Sequence, residues 1–255
     1  MAVELTRREE FALLTLNRQQ ALNALSFAIL GELEHAFDEV AASDARALLI
    51  TGAGSKAFCA GADITELRSR TLIAQREGTE RGQRIFAKLD ALPMPSIAIV
   101  NGYAFGGGLE LALACTLRLA TSNAKLGLPE IKLGLIPGYG GTQRLPRIVG
   151  EARALEMIMT GRTVEAEEAH RIGLVNRIVS GDAIEAAIAF AREFSGHGLA
   201  ALRFARSAVQ RALDTPLNEG FKVEADLSTL AFRTEDAEEG MAAFLEKRKP
   251  RFKDR

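Results

Sequence analysis

The sequence predicts an α/β core followed by a helical C-terminal region. Three observations carry that reading. Short apolar runs at residues 11–16, 47–51 and 97–100 are each bounded by turn residues, as buried strands are. Between the first two runs, Phe27, Leu30, Leu33, Phe37 and Val40 recur at helical intervals. Beyond Ser195, Gly196-His197-Gly198 breaks the pattern, and only helical stretches follow.

In chain order, residues 11–16 form the first strand, and Ser26 caps the helix that begins at Phe27, its hydroxyl able to accept a free N–H of the first turn. Residues 47–51 form the next strand. Gly52-Ala53-Gly54-Ser55-Lys56-Ala57 follows it and fits the dinucleotide pattern G-x-G-x-x-A. That fingerprint should open a helix, whereas residues 58–63 continue as a small-residue loop, so a plain turn is the better reading. Nor does Lys56 complete a phosphate-binding Walker motif. Residues 97–100, after Pro93 and Pro95, are a third strand. Residues 108–115 suit a short buried helix with Gly106, Gly107 and Gly108 at its entrance, followed by a polar stretch and a loop over 126–141. Helices are expected over 199–213, 217–230 and 235–249. The expected division is a core over 1–195 and a helical region over 196–255. No repeat is visible in the sequence, although strand and helix units alternate through its first two-thirds.

With 47% apolar residues, 25% charged residues and no Trp in 255 residues, the chain reads as globular. A formal net charge of −1 provides no field to attract nucleic acid or an anionic membrane, and neither is expected as a partner. Cys59 and Cys115 are too few for a disulfide framework, and no Cys/His cluster has metal-ligand spacing, so no metal site is expected. The first ten residues are charged and precede no long apolar stretch. A reducing, cytoplasmic location follows as an expectation.

Two carboxylates stand out. Glu110 lies between Leu109 and Leu111 on the apolar helix entered through three glycines, where an unpaired carboxylate is costly to bury. Those glycines permit close backbone approach, and the free N–H groups of the helix start can face developing negative charge. Tight helix packing explains small residues there equally well. Glu130 sits in Leu128-Pro129-Glu130-Ile131, ahead of the glycine-rich segment 137–142. Two such carboxylates in one cleft could divide acid and base duties if their environments separate their proton affinities.

Other candidates are weaker. His35, His170 and His197 have no partner at nucleophile or metal spacing, no G-x-S-x-G elbow occurs, and Cys59 has no nearby His. The basic end, Lys247, Arg248, Lys249, Arg251, Lys253 and Arg255, reads as a solvated tail. Phe244 and Phe252 are available to anchor it and to aim its cations at ligand phosphates.

Taken together, Phe58-Cys59-Ala60-Gly61-Ala62-Asp63-Ile64, the segment 101–110 from Asn101-Gly102-Tyr103 to Gly108-Leu109-Glu110, Leu128-Pro129-Glu130, and the segment 136–145 from Ile136-Pro137-Gly138 to Gln143-Arg144-Leu145 resemble the enoyl-CoA hydratase/isomerase (crotonase) family in content, order and spacing. The ending Phe244 to Phe252 is similar too, so the resemblance runs nearly end to end. It implies a crotonase-like (ClpP/crotonase) spiral of ββα units closed by C-terminal helices that assemble homotrimers, often paired into homohexamers. It implies an acyl-CoA substrate and no separate cofactor. The backbone N–H groups of Ala62 and Gly107 would form an oxyanion hole for a thioester enolate. Glu110 would act as base towards C3 and Glu130 as proton donor to C2. Ala21, Leu22, Ala24, Ala60, Asp63 and Ile64 would lie along CoA, and the segment after Asp63, including Leu67 and Leu72, along the acyl chain.

Within that family, enoyl isomerases generally lack the first Glu, and dienoyl isomerases tend to carry an acid where this chain has Gly138. The resemblance therefore implies a hydratase, with an isomerase or another enolate-forming enzyme as the alternative. A non-catalytic RNA- or CoA-binding member is the reading from a different class. Two departures from the family pattern are Gln19, where Pro is usual, and Thr116, where Asp is common.

Overall fold

The computed structural model describes residues 2–254. It divides into two compact units, one built from the chain through Leu92 together with residues 96–188, the other from Pro93–Pro95 and the chain from Ala189 onward.

The first unit opens with β1 (Val3–Arg8) and β2 (Phe11–Leu16), then α1 (Phe27–Ala41), β3 (Leu48–Gly52), β4 (Ala57–Cys59), α2 (Ile64–Leu67) and α3 (Leu72–Ala91). It continues with β5 (Ser96–Val100), β6 (Tyr103–Phe105), α4 (Gly107–Ala114), β7 (Leu117–Thr121) and β8 (Lys125–Gly127). Next come α5 (Gly141–Val149), α6 (Glu151–Thr160), β9 (Val164–Glu165), α7 (Ala166–Arg171), β10 (Arg177–Val179) and α8 (Ala183–Ser195), the last of which runs on past Ile188.

Two sheets result. The larger has strand order β1-β2-β3-β5-β7-β10 and the smaller β4-β6-β8-β9. The pairs β3/β4, β5/β6 and β7/β8 each give their first strand to the large sheet and their second to the small one. Successive pairs then stack in parallel, with Leu48 opposite Ser96, Ile97 opposite Leu117, Ala57 opposite Tyr103 and Tyr103 opposite Lys125. This is the spiral of repeated units expected from the family resemblance. The repeat is invisible in the sequence because the inserts differ: α2 and α3 follow one pair, and the eight-residue α4 follows the next. Every residue of β3 and β5 is buried, which explains why these strands read as unbroken apolar runs instead of alternating ones.

Ser26 caps α1 as expected, its Oγ accepting the Ile29 N–H at 3.2 Å, a bond of a kind that contributes about 1 kcal/mol. Phe11, Phe37, Phe58 and Phe86 are wholly buried, each contributing roughly 2–3 kcal/mol through removal from water.

Of the elements that escaped the sequence reading, two near the front of the chain show why. The charged start is an edge strand: β1 pairs antiparallel with β2, and the Ala2 and Val3 N–H groups donate to Glu32 Oε2, both at 2.9 Å. The long helix α3 buries Gly78, Gly82, Ile85, Phe86 and Leu89 at helical spacing, but two of these are glycines and carry no hydropathy signal.

The second unit contains α9 (Leu199–Arg211), α10 (Leu217–Phe232) and α11 (Glu235–Leu245). The last helix stops four residues short of expectation because Lys247 turns left-handed, at φ 54°. The basic tail is docked on α11: Arg248 pairs with Glu239 at 2.6 Å, and the Lys253 and Asp254 N–H groups donate to Asp236. Phe252 packs over Gly240, whereas Phe244, expected to anchor, is 83% exposed. A helix can bury only the face turned to its neighbours, and Phe244 is on the other.

Candidate active site

Strand β4 and helix α4 pack so closely that a Cβ on Gly108 would overlap the Cys59 carbonyl oxygen. That approach brings the loop after β4 beside the start of α4. A Cβ on Gly107 would lie 3.4 Å from the Ala62 nitrogen, and one on Gly61 would lie 3.6 Å from the Gly107 nitrogen. The Ala62 and Gly107 N–H groups are therefore neighbours, and among the described residues neither has an acceptor. For Gly107 the cause is general, since the first N–H of a helix has no intrahelical partner. For Ala62 it is the bridge to Leu25: the Leu25 N–H donates to the Gly61 carbonyl and the Asp63 N–H to the Leu25 carbonyl, so the Ala62 N–H points the other way.

Two turns hold this loop to the early segment of the chain. The Ala60 N–H donates to the Leu22 carbonyl at 3.0 Å, and Arg18 pairs with Asp63 at 2.7 Å. Asp63 also caps α2 through Thr65, and these partners hold its carboxyl below the usual carboxylate range. Asn23, buried and left-handed, donates to the carbonyls of Ala53 and Ala57, and Asn101 donates to those of Gly52 and Gly54. The glycine-rich turn after β3 is thus clasped by two asparagines and opens no helix. Gln19 begins a single helical turn, Gln19–Ala21, and its side-chain oxygen lies against Gly54.

Glu110 sits in the first turn of α4 and is 2% exposed. Its Oε1 accepts the N–H groups of Tyr139 and Gly141, each at 2.7 Å. Burial pushes its pKa up to about 7, aided by the negative charge of Glu130 and opposed by the loop N–H groups. Glu130 opens the helical turn Glu130–Leu133 and is half-buried, and desolvation raises its pKa too. Its Oε1 lies 3.0 Å from where a Cβ on Gly106 would be, and its Oε2 is buried without a partner. The structure therefore brings Glu130 beside Gly106 at the start of α4, close enough for its charge to act on Glu110 in the first turn of the same helix. Such an array can hold an oxyanion while exchanging protons on either side of it.

The sequence profile of the enoyl-CoA hydratase/isomerase family matches residues 6–255. The chain is 42% identical to crotonyl-CoA hydratase of Syntrophomonas wolfei, over 97% of this chain and 96% of that protein. It is 40% identical to short-chain-enoyl-CoA hydratase of Clostridium acetobutylicum, over 97% and 95%. The crystal structure of an enoyl-CoA hydratase from Bacillus anthracis superposes with a TM-score of 0.95 at 38% identity, covering 100% of both chains. The chain belongs to the enoyl-CoA hydratase/isomerase, or crotonase, family.

In this crotonase-family chain the remaining candidates are placed as follows. Ala21, Leu22 and Ala24 form the turn that meets Ala60. Ile64 begins α2 at 47% exposure, and Leu72 stands 91% exposed at the start of α3. A cavity of about 410 Å³ opens beside this turn, between Gln19, Leu22, Asn23, Gly54 and Lys56. The larger cavity, about 950 Å³, is in the helical unit and contains none of these residues. His35, His170 and His197 are exposed, and no metal-ligating cluster occurs among the described residues. Cys59 and Cys115 are buried thiols pushed up to about 12, hence inert. Thr116 exchanges hydrogen bonds with Ser96, and nearby Arg118 is buried, its side chain donating to the carbonyls of Leu174 and Cys115.

Sequence reasoning missed Tyr139 as a site residue. Its ring is 7% exposed, meets Phe86 edge-on at 5.7 Å, and lies 3.2 Å from where a Cβ on Gly107 would be. It also missed Gln83, whose Nε2 donates to the Gly138 carbonyl at 2.9 Å and so steadies the loop that holds Glu110. Neither had a signal, because both act through contacts between distant segments.

Proposed function

We propose that the protein hydrates 2-enoyl-CoA thioesters to 3-hydroxyacyl-CoA. The observation that carries this reading is the presence of two desolvated carboxylates, Glu110 and Glu130, at one pair of free N–H groups. The thioester oxygen sits between the Ala62 and Gly107 N–H groups. Glu110 takes a proton from water as the water oxygen bonds to C3, and the π electrons move onto the thioester oxygen as an enolate. When the enolate collapses, C2 takes a proton from Glu130, and proton exchange with solvent restores both carboxylates.

Fixed donors aimed at the enolate oxygen bind the transition state more strongly than the substrate, and losing one such donor typically costs about 3 kcal/mol. The start of α4 adds its positive dipole end. No electron leaves the substrate, so the reaction calls on no cofactor beyond the CoA that the substrate carries. CoA follows Ala21, Leu22, Ala24, Ala60, Asp63 and Ile64 through main-chain groups, since the Asp63 carboxylate is already committed to Arg18 and Thr65.

We also read the helical unit as the surface of a homotrimer or a homohexamer. Association would cover Phe232, Met241, Phe244 and Leu245, which border or line its apolar cavity and stand exposed in the single chain. Among the described residues no helix is long and apolar enough to cross a membrane.

The test is the reaction of crotonyl-CoA with the purified protein in water labelled with heavy oxygen. Label at C3 of the product is the expected result. Shift of the double bond without label would replace this reading with an isomerase.

A further inference from the structure

Helix α3 carries two glycines one turn apart, Gly78 and Gly82, both buried on the same face. Glycine inside a helix costs about 1 kcal/mol relative to alanine, so two of them here mark space that is used. The Phe27 ring and the Arg70 guanidinium stacked on it fill the first: a Cβ on Gly78 would lie 2.8 Å from the ring and 3.1 Å from Arg70 Nη2, and the Arg70 Cζ sits 4.3 Å from the ring centroid. The Tyr139 ring fills the second, where a Cβ on Gly82 would overlap it. The other edge of that ring reaches Gly107. Tyr139 therefore leads from the thioester end of the site along α3 towards Arg70, one helical turn or about 6 Å further on.

Both polar groups in this furrow are short of partners. Arg70 Nη2 donates to the Ala74 carbonyl, but its Nε is buried with none. The Tyr139 hydroxyl makes no hydrogen bond among the described residues. Arg81 adds a second cation, its Nη2 lying 2.9 Å from where a Cβ on Gly31 of α1 would be. Two carboxylates face the group: Glu110 at the thioester end, whose charge acts on the Tyr139 phenol, and Glu66, whose Oε2 already accepts the Phe27 N–H at 2.7 Å. Glu110, Glu66 and both arginines act electrostatically on the Tyr139 phenol, the carboxylates against its ionisation and the arginines for it. A wholly apolar acyl chain laid here would leave a buried guanidinium N–H and a phenol unsatisfied, which is costly.

We propose that the furrow between Tyr139 and Arg70 receives a carboxylate at the far end of the acyl chain, so that the preferred substrates are 2-enoyl-CoA esters of dicarboxylic acids. This rests on the hydratase reading and narrows its substrate class. The Tyr139 hydroxyl and the Arg70 guanidinium donate to the carboxylate, and the Arg70 and Arg81 cations attract it.

The test compares 2-enoyl-CoA esters in matched pairs, one ending in a methyl group and one in a carboxylate, over a series of chain lengths. At the length that fits, kcat/KM is expected to favour the carboxylate by about tenfold or more. Arg70→Met and Tyr139→Phe should each bring that ratio down towards one. Preference for the methyl-terminated CoA ester at every length overturns the proposal while leaving the hydratase reading intact, and so does a carboxylate preference that neither variant lowers. Hydration of no ester overturns both. Circular dichroism and thermal melting identify a variant that fails to fold, and the other variant then decides.

Discussion

The Tyr139 N–H donates to Glu110 at 2.7 Å, so the carboxylate at the start of one helix is positioned by a loop nearly thirty residues further along the chain. Gly141 makes the second such bond. The loop orients Glu110 and favours its charged form, while burial raises its proton affinity more strongly.

Replacing Glu110 with Gln keeps the shape but removes the base. Hydration of crotonyl-CoA should fall by about 10²–10⁴-fold in kcat, followed by loss of the conjugated thioester absorbance. Unchanged turnover would remove Glu110 from the mechanism.

The pH profile follows from the same group. If ionised Glu110 is the base, kcat/KM should decline as pH drops through about 7. An acid limb at the ordinary carboxylate position, with no trace of inflection near neutrality, would contradict it.

Stability should move the opposite way. A carboxyl whose folded pKa lies above its unfolded value favours the fold while protonated. That advantage is complete below the unfolded value of 4.5 and is lost as pH rises to about 7. Glu110→Gln should therefore melt higher than wild type at pH about 8, by an equivalent of about 3 kcal/mol, and match it near pH 4. Equal melting at both pH values would show that the charged carboxylate is not strained by burial.

Gly108→Ala should damage folding, because the added methyl meets a backbone carbonyl that cannot swing away. A loss of about 2–4 kcal/mol in chemical denaturation is expected, together with weakened catalysis as the Ala62 and Gly107 N–H groups separate. A variant as stable as wild type would mean that β4 and α4 can part without cost.

Asp63→Ala removes both the α2 cap and the Arg18 ion pair. Loss of the cap costs about 1 kcal/mol, and the larger consequence should be a raised KM for acyl-CoA with kcat little changed. A fall in kcat at constant KM would place Asp63 in the chemistry instead.

How much of this was legible depended on whether a residue's role is local. The run 11–16, the Ser26 cap and the helix entered through Gly106 to Gly108 announce themselves through neighbours in sequence, and the structure shows each. Glu110 and Glu130 were readable as anomalies, carboxylates set among apolar residues. By contrast β1 read only as a charged start because an edge strand needs few apolar residues, and α3 hid two of its five buried positions in glycines. Phe244 looked like an anchor and is exposed, because hydropathy does not say which side of a helix meets a neighbour.

The sequence by itself determined the α/β class, the helical ending, the near-neutral charge and, through ordered motifs, the family. These are properties of composition, periodicity and short patterns. Only the tertiary structure decided that the Ala62 and Gly107 N–H groups stand side by side, that both are free, and that Tyr139 runs from Gly107 to Arg70. Each of these depends on a close approach between segments far apart in the chain, and such distances are set by packing.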